Sequence, residues 1–218
     1  MPPTLRPKHL ALGKIFNLPN QLTSLRLLLS VFLFALIVWE HYLSSLTLFV
    51  IAAGTDWLDG YYARKYGQVT TLGRILDPFA DKVIVCGTFI FLAAVPAMIA
   101  EPWWAGMRAW MVVVIVGREL LVTALRSFLE DRGSDFSAKM SGKLKMVLQC
   151  VAAGACLVFL SYSSEPSKLV RPEAPPWVWT TLVASIWLMI ALTVYSGVAY
   201  VLGAVRILRQ NHEGDASP

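Results

Sequence analysis

Charge is scarce in this sequence of 218 residues: Asp, Glu, Lys and Arg make up only 15% of it, and no acid occurs before Glu40. Cysteine is nearly absent. Cys86, Cys150 and Cys156 are odd in number and lie in apolar runs, which excludes a disulfide framework. The three histidines, His9, His41 and His212, fall at the termini or a loop end, so neither a zinc-ligand spacing nor a Ser-His-Asp arrangement can be built. The basic N-terminus lacks a small-residue cleavage site and is expected to be retained rather than removed as a targeting peptide. No internal repeat and no low-complexity tract is present.

Apolar residues are abundant instead. They form 56% of the chain, above the roughly 45–50% of ordinary globular domains, and the mean hydropathy is positive. Runs around 25–39, 46–57, 83–100, 109–129, 146–162 and 177–205 each approach the ~20 residues that cross a bilayer as a helix. The expected fold is therefore an all-α integral membrane protein with six transmembrane helices. Residues 4–16 mix basic and apolar positions and suggest a short interfacial helix. The organisation is an N-terminal segment over 1–21, a six-helix domain over 22–206 and a tail over 207–218. Pro19 or the polar residues after it should start the first span. Glu40 to Ser45 reads as a turn, Gly67 to Gly73 and 131–142 as loops, and 97–104 as an interfacial connection rich in Trp and Pro. Pro78 falls in the first turns of the third span, and the sixth ends near Arg206. The second run is short, but no helix breaker lies between Asp56 and Tyr66, so its helix should continue into the interface.

Fifteen of the nineteen basic residues fall on one side of this topology: four up to Arg26, four over 64–82, five over 126–145 and two in the tail. The other side has Arg108, Lys168 and Arg171, and Arg118 lies within a span. By the positive-inside rule both termini face the cytoplasm. The net charge of +5 on that face also suits anionic lipid head groups.

The remaining feature is acidic. The stretch DWLDGYYARKYGQVTTLGRILDPFAD, residues 56 to 81, brings Asp56, Asp59, Asp77 and Asp81 to the cytoplasmic boundary. At ~100° per residue the first pair is ~60° apart and the second ~40° apart, so each pair shares a helix face. The two helices are joined by a short loop and are expected to be antiparallel neighbours with the pairs opposed. Unpaired carboxylates there repel and would each cost roughly 2.5–3.5 kcal/mol at the membrane centre. Salt bridges to Arg64, Lys65, Arg74 and Lys82 could account for one such acid, but not for four at helical spacing framed by glycines. Four oxygen donors without His or Cys suit two hard divalent ions, Mg2+ or Mn2+, with positions left for substrate phosphates. A pair of such ions serves phosphoryl-type transfer. Gly60, Ala63 and Gly73 let a nucleotide approach the backbone, and Arg64 can pair with a diphosphate.

Written as D56-x2-D59-G60-x2-A63-R64-x8-G73-x3-D77-x3-D81, the stretch resembles the CDP-alcohol phosphatidyltransferase motif at all eight fixed positions. NLPNQLTSLR, LGRILDPFADKVIV, GREL..TALR at 117–126 and SGKLKMVLQ at 141–149 further resemble the branch whose acceptor is sn-glycerol 3-phosphate. Met146 stands where that branch often has threonine. The resemblance covers most of 17–150, and the last span and tail add little. It implies a six-span homodimeric enzyme that moves a phosphatidyl group from CDP-diacylglycerol to sn-glycerol 3-phosphate and releases CMP; a bacterial inner membrane is the expected location, with an organellar membrane the alternative. It further implies that Asp56, Asp59, Asp77 and Asp81 bind two metals, that Asp81 is the general base, and that Asp56, Gly60, Ala63, Arg64 and Gly73 hold CDP. Membrane lipids are expected partners and nucleic acid is not.

An acceptor phosphate needs cations. Arg118, costly in a span unless engaged, and Arg126, eight residues on and near the same face, are candidates with Lys143, Lys145 and Thr23. Pairing of Arg118 with Glu119 is expected to be poor, because adjacent helical residues point ~100° apart. Thr23 and Arg26, three apart on one face, could instead cap and snorkel. Two competing readings are a sibling transferase using inositol phosphate, serine or phosphatidylglycerol as acceptor, and a carrier of divalent ions. The 117–149 region argues against the first, and Gly60, Ala63 and Gly73 at their spacing against the second.

Overall fold

The computed structural model of the chain describes the backbone of residues 18–66, 71–131, 140–163 and 174–215, and side chains within 21, 23–54, 79–129, 144–162 and 174–207. The expected interfacial helix over 4–16 lies outside the described residues. All regular secondary structure among the described residues is helical: α1 (Leu18–Val38), α2 (Tyr42–Tyr66), α3 (Thr71–Ala94), the short α4 (Pro96–Ala100), α5 (Ala109–Asp131), α6 (Met140–Ser163) and α7 (Pro176–Asp215). The spans Leu144–Tyr162 and Pro176–Ile207 are long and apolar enough to cross a membrane. The surface agrees. Val31, Phe32, Val50, Val113, Leu120 and Leu188 are exposed on successive helices, more apolar surface than a water-facing monomer carries.

α1 packs against α2 and α3, α6 against α2, α3 and α7, and α5 against α3 and α7. Leu33, Ile37, Phe89, Leu92, Met111, Ile115, Leu157, Leu160, Leu182 and Ile186 fill the shared interior. Gly87 matters here. A Cβ at that position would clash with the Phe34 ring, so its absence lets α1 and α3 approach and Phe34 stack on Phe91 at 4.8 Å.

The helix boundaries correct several expectations. α2 begins at Tyr42 rather than after Ser45, because Glu40 closes α1 within two residues. The His41 amide donates to the Leu36 carbonyl at 2.9 Å and the Glu40 amide to Ile37 at 3.1 Å, with Glu40 left-handed at φ 61°. That is a Schellman termination with a non-glycine residue in the glycine position. α2 does continue to Tyr66, through both of its aspartates. α3 begins at Thr71, so Gly73 is helical rather than part of a loop, and Pro78 lies beyond the first turn. The run 83–100 is two helices, since Val95 is extended and Pro96 starts α4. α6 begins at Met140, inside the expected loop, and α7 runs past Arg206 to Asp215.

One end of the bundle is rich in tryptophan. Trp104 and Trp179 meet edge to face at 5.0 Å, and the Trp187 indole N–H donates to the Trp104 carbonyl at 2.8 Å. Arg108 fastens the connection by donating from Nη1 to the Ile99 carbonyl at 3.0 Å and from Nη2 to that of Glu101. Gly106 lies against the Met98 carbonyl, in space that a Cβ would fill. The aspartates lie toward the opposite end.

Candidate active site

Asp56 and Asp59 lie within the continuous helix α2, and Asp77 and Asp81 within α3. Helical spacing therefore holds across both pairs, and each pair shares a helix face. The side chains of Asp56, Asp59, Ala63, Arg64 and Asp77, and the surroundings of Gly60 and Gly73, lie outside the described residues, as does the Lys143 side chain. Asp81 is described. It is half-buried on α3 and close enough to Lys145 on α6 to interact with it electrostatically.

Beside Asp81 is a buried polar network built by three helices. On α5, Glu119 points inward with a side chain 13% exposed. On α6, Lys145 and Gln149 are four residues apart and share a face, and both reach the same carboxylate oxygen: Lys145 Nζ in an ion pair and Gln149 Nε2 at 3.4 Å. Arg118 Nη1 donates to that oxygen at 3.3 Å. The pairing judged poor from sequence is therefore made. The arginine chain is long enough to fold back across the ~100° between neighbouring residues, and in an apolar interior an unpaired guanidinium is the costlier alternative.

The third helix is α7, where Ser196 and Tyr200 again lie four apart. Arg118 Nε donates to Ser196 Oγ at 3.2 Å, and the Ser196 hydroxyl donates to the Thr193 carbonyl at 3.1 Å. The Arg118 guanidinium lies over the Tyr200 ring, 5.5 Å from its centroid, and Arg126 Nη2 reaches the Tyr200 hydroxyl at 3.5 Å. Gly197 leaves the room for this, since a Cβ there would come within 3.3 Å of Arg118 Cγ. Arg118 and Gly197 also line an apolar cleft of about 330 Å³ between α5 and α7, with Val114, Leu121, Val194 and Val198.

The structure thus brings together Arg118, Arg126 and Lys145 of the expected acceptor residues. Thr23 is buried on α1, which packs against α2 and α3, and is not among the described groups that reach Glu119. Sequence reasoning named Glu119 only as a poor partner for Arg118 and missed Gln149, Ser196 and Tyr200. Lys145 with Gln149 and Ser196 with Tyr200 were detectable as polar pairs at i, i+4 in apolar helices. Two cations, Arg118 and Lys145, share the Glu119 carboxylate, and a third, Arg126, is joined to Arg118 through Tyr200, with Asp81 facing Lys145. Such an arrangement can bind an anion beside a carboxylate able to take a proton.

A family model described as CDP-alcohol phosphatidyltransferase matches residues 16–208 of the chain. A protein of Bacillus subtilis named CDP-diacylglycerol–glycerol-3-phosphate 3-phosphatidyltransferase is 35% identical over 202 residues, covering 85% of this chain and 94% of its own. Proteins of the same name from Salmonella choleraesuis and Escherichia coli are 33% and 32% identical, each over 87% of this chain and 95% of its own.

Proposed function

Because the chain belongs to the CDP-alcohol phosphatidyltransferase family, we propose that it transfers the phosphatidyl group of CDP-diacylglycerol to sn-glycerol 3-phosphate, forming phosphatidylglycerophosphate and CMP. The acceptor hydroxyl oxygen bonds to the β-phosphorus, and the bond from that phosphorus to the bridging oxygen breaks. CMP leaves with the bonding pair, and Asp81 takes the hydroxyl proton. Four carboxylates at helical spacing on two continuous helices, with no sulfur or nitrogen donor among them, fit two hard divalent ions, Mg2+ or Mn2+. Bound by Asp56, Asp59, Asp77 and Asp81, those ions would offset the charge that develops on the diphosphate. Gly60, Ala63, Arg64 and Gly73 hold the CDP moiety against α2 and α3.

The observation that supports the acceptor assignment is the linked cations: Arg118 and Lys145 share the Glu119 carboxylate, Arg126 joins Arg118 through Tyr200, and Lys145 interacts with Asp81. Lys143 on α6 and Thr23 on α1 complete the proposed acceptor set. A dianionic phosphate anchored there leaves the acceptor hydroxyl to face the aspartates, an effect of position worth more than affinity alone. The six long helices are six spans of a bacterial inner membrane, with both termini and the aspartate end cytoplasmic, in a homodimer.

The decisive experiment incubates the purified protein with CDP-diacylglycerol, Mn2+ and each labelled acceptor in turn. Label should enter lipid, with stoichiometric CMP, for sn-glycerol 3-phosphate. Preferred labelling by inositol phosphate, serine or phosphatidylglycerol would reassign the acceptor. Ion flux without CMP from any of them would end the transferase reading.

A further inference from the structure

We propose that Tyr200, with Ser196 one turn before it, is a positioning residue that spaces Arg118 and Arg126 to receive the acceptor's phosphate; this rests on the acceptor assignment above. The two arginines are eight residues apart on α5, about 12 Å along the axis, yet both converge on one side chain of α7. The Tyr200 ring supports the Arg118 guanidinium, its hydroxyl meets Arg126 Nη2, and Ser196 fixes the inner Nε of Arg118.

The chemistry of these partners is informative. Glu119 holds Arg118 and Lys145 by cancelling charge, which an anion site can tolerate only in part. Tyr200 and Ser196 are neutral, so they orient guanidinium groups without reducing their pull on a phosphate. Tyr200 is buried, and its orientation is set by packing between α5 and α7. Arg126 also keeps a donor in reserve. Its Nε is buried and has no hydrogen-bond partner, an arrangement that a phosphate oxygen would complete. The segment that the motif leaves out thus contributes to acceptor recognition from across the bundle.

The test is steady-state kinetics of the full chain in detergent with both substrates varied, for Tyr200→Phe, Tyr200→Leu, Arg118→Ala and Arg126→Ala. Tyr200→Phe keeps the ring and loses the hydroxyl, and should raise the acceptor KM about threefold. Tyr200→Leu loses both and should raise it about tenfold, with kcat and the KM for CDP-diacylglycerol within about twofold of wild type. An acceptor KM that stays within about twofold in Tyr200→Leu, or a parallel rise in both KM values, overturns the proposal. If Tyr200→Leu yields no folded protein, Tyr200→Phe decides alone, an unaltered acceptor KM counting against it. Should the two arginine variants leave the acceptor KM unchanged, the acceptor assignment itself fails. Should they raise it while the Tyr200 variants do not, only the inference about Tyr200 fails.

Discussion

Arg108 and Arg118 are ten residues apart and flank the first half of α5, yet they are used in opposite ways. At the tryptophan end Arg108 gives Nη1 and Nη2 N–H groups to the carbonyls of Ile99 and Glu101, while its Nε, like that of Arg126, is buried without a hydrogen-bond partner; Gly106 and a Trp104–Trp179 contact already close this connection. At the aspartate end Arg118 is held by side chains, Glu119, Ser196 and Tyr200, beside two further cations. Backbone carbonyls as partners complete a fold. A surplus of side-chain cations invites a ligand. The same residue type therefore reads as structural or functional from what it touches, and the membrane environment makes either use expensive to abandon.

The contrast can be broken most severely at Asp81. Asp81→Asn removes the proposed proton acceptor and should lower CMP release by about 10²–10⁴-fold while the protein remains monodisperse in detergent, as size-exclusion chromatography would report. Near-normal turnover would remove Asp81 from that role. Next comes Arg118→Ala, which should raise the acceptor KM roughly 10-fold or more and leave the KM for CDP-diacylglycerol little changed, since one charge-assisted contact to phosphate is lost. Arg108→Ala should do the reverse, leaving both KM values within about twofold while lowering stability by about 1–3 kcal/mol in thermal or denaturant unfolding. A large kinetic effect at Arg108 would erase the distinction between the two ends. The smallest effect should come at Glu40. Its left-handed conformation costs a non-glycine residue about 1 kcal/mol, so Glu40→Gly should raise the unfolding midpoint modestly and leave turnover unchanged.

Much of this was legible in the sequence, for physical reasons that differ by region. The helical fold follows from apolar runs of bilayer length, and the aspartates from their spacing, because a helix converts separation in sequence directly into direction in space. Boundaries were less legible. Glu40 terminates α1 through backbone geometry that no composition rule assigns to glutamate, and Val95 interrupts what reads as a single apolar run. The proposed acceptor cluster was half visible. Arg118, Arg126 and Lys145 stand out as charges in apolar surroundings, whereas Tyr200 and Ser196 are ordinary residues of a transmembrane helix until α5 is placed against them. The Arg118–Glu119 pair was misjudged because backbone direction was weighed and the reach of a long side chain was not.

The hydrogen bond from Trp187 to the Trp104 carbonyl has a consequence far from either residue. It works as a peg on α7, fixing how far that rod slides and how it is turned. A slip of one residue would shift everything below by ~1.5 Å and rotate it by ~100°, enough to swing the tyrosine away from both arginines. An indole at one end of the bundle thereby sets the phase of the Arg118–Tyr200–Arg126 contacts at the other.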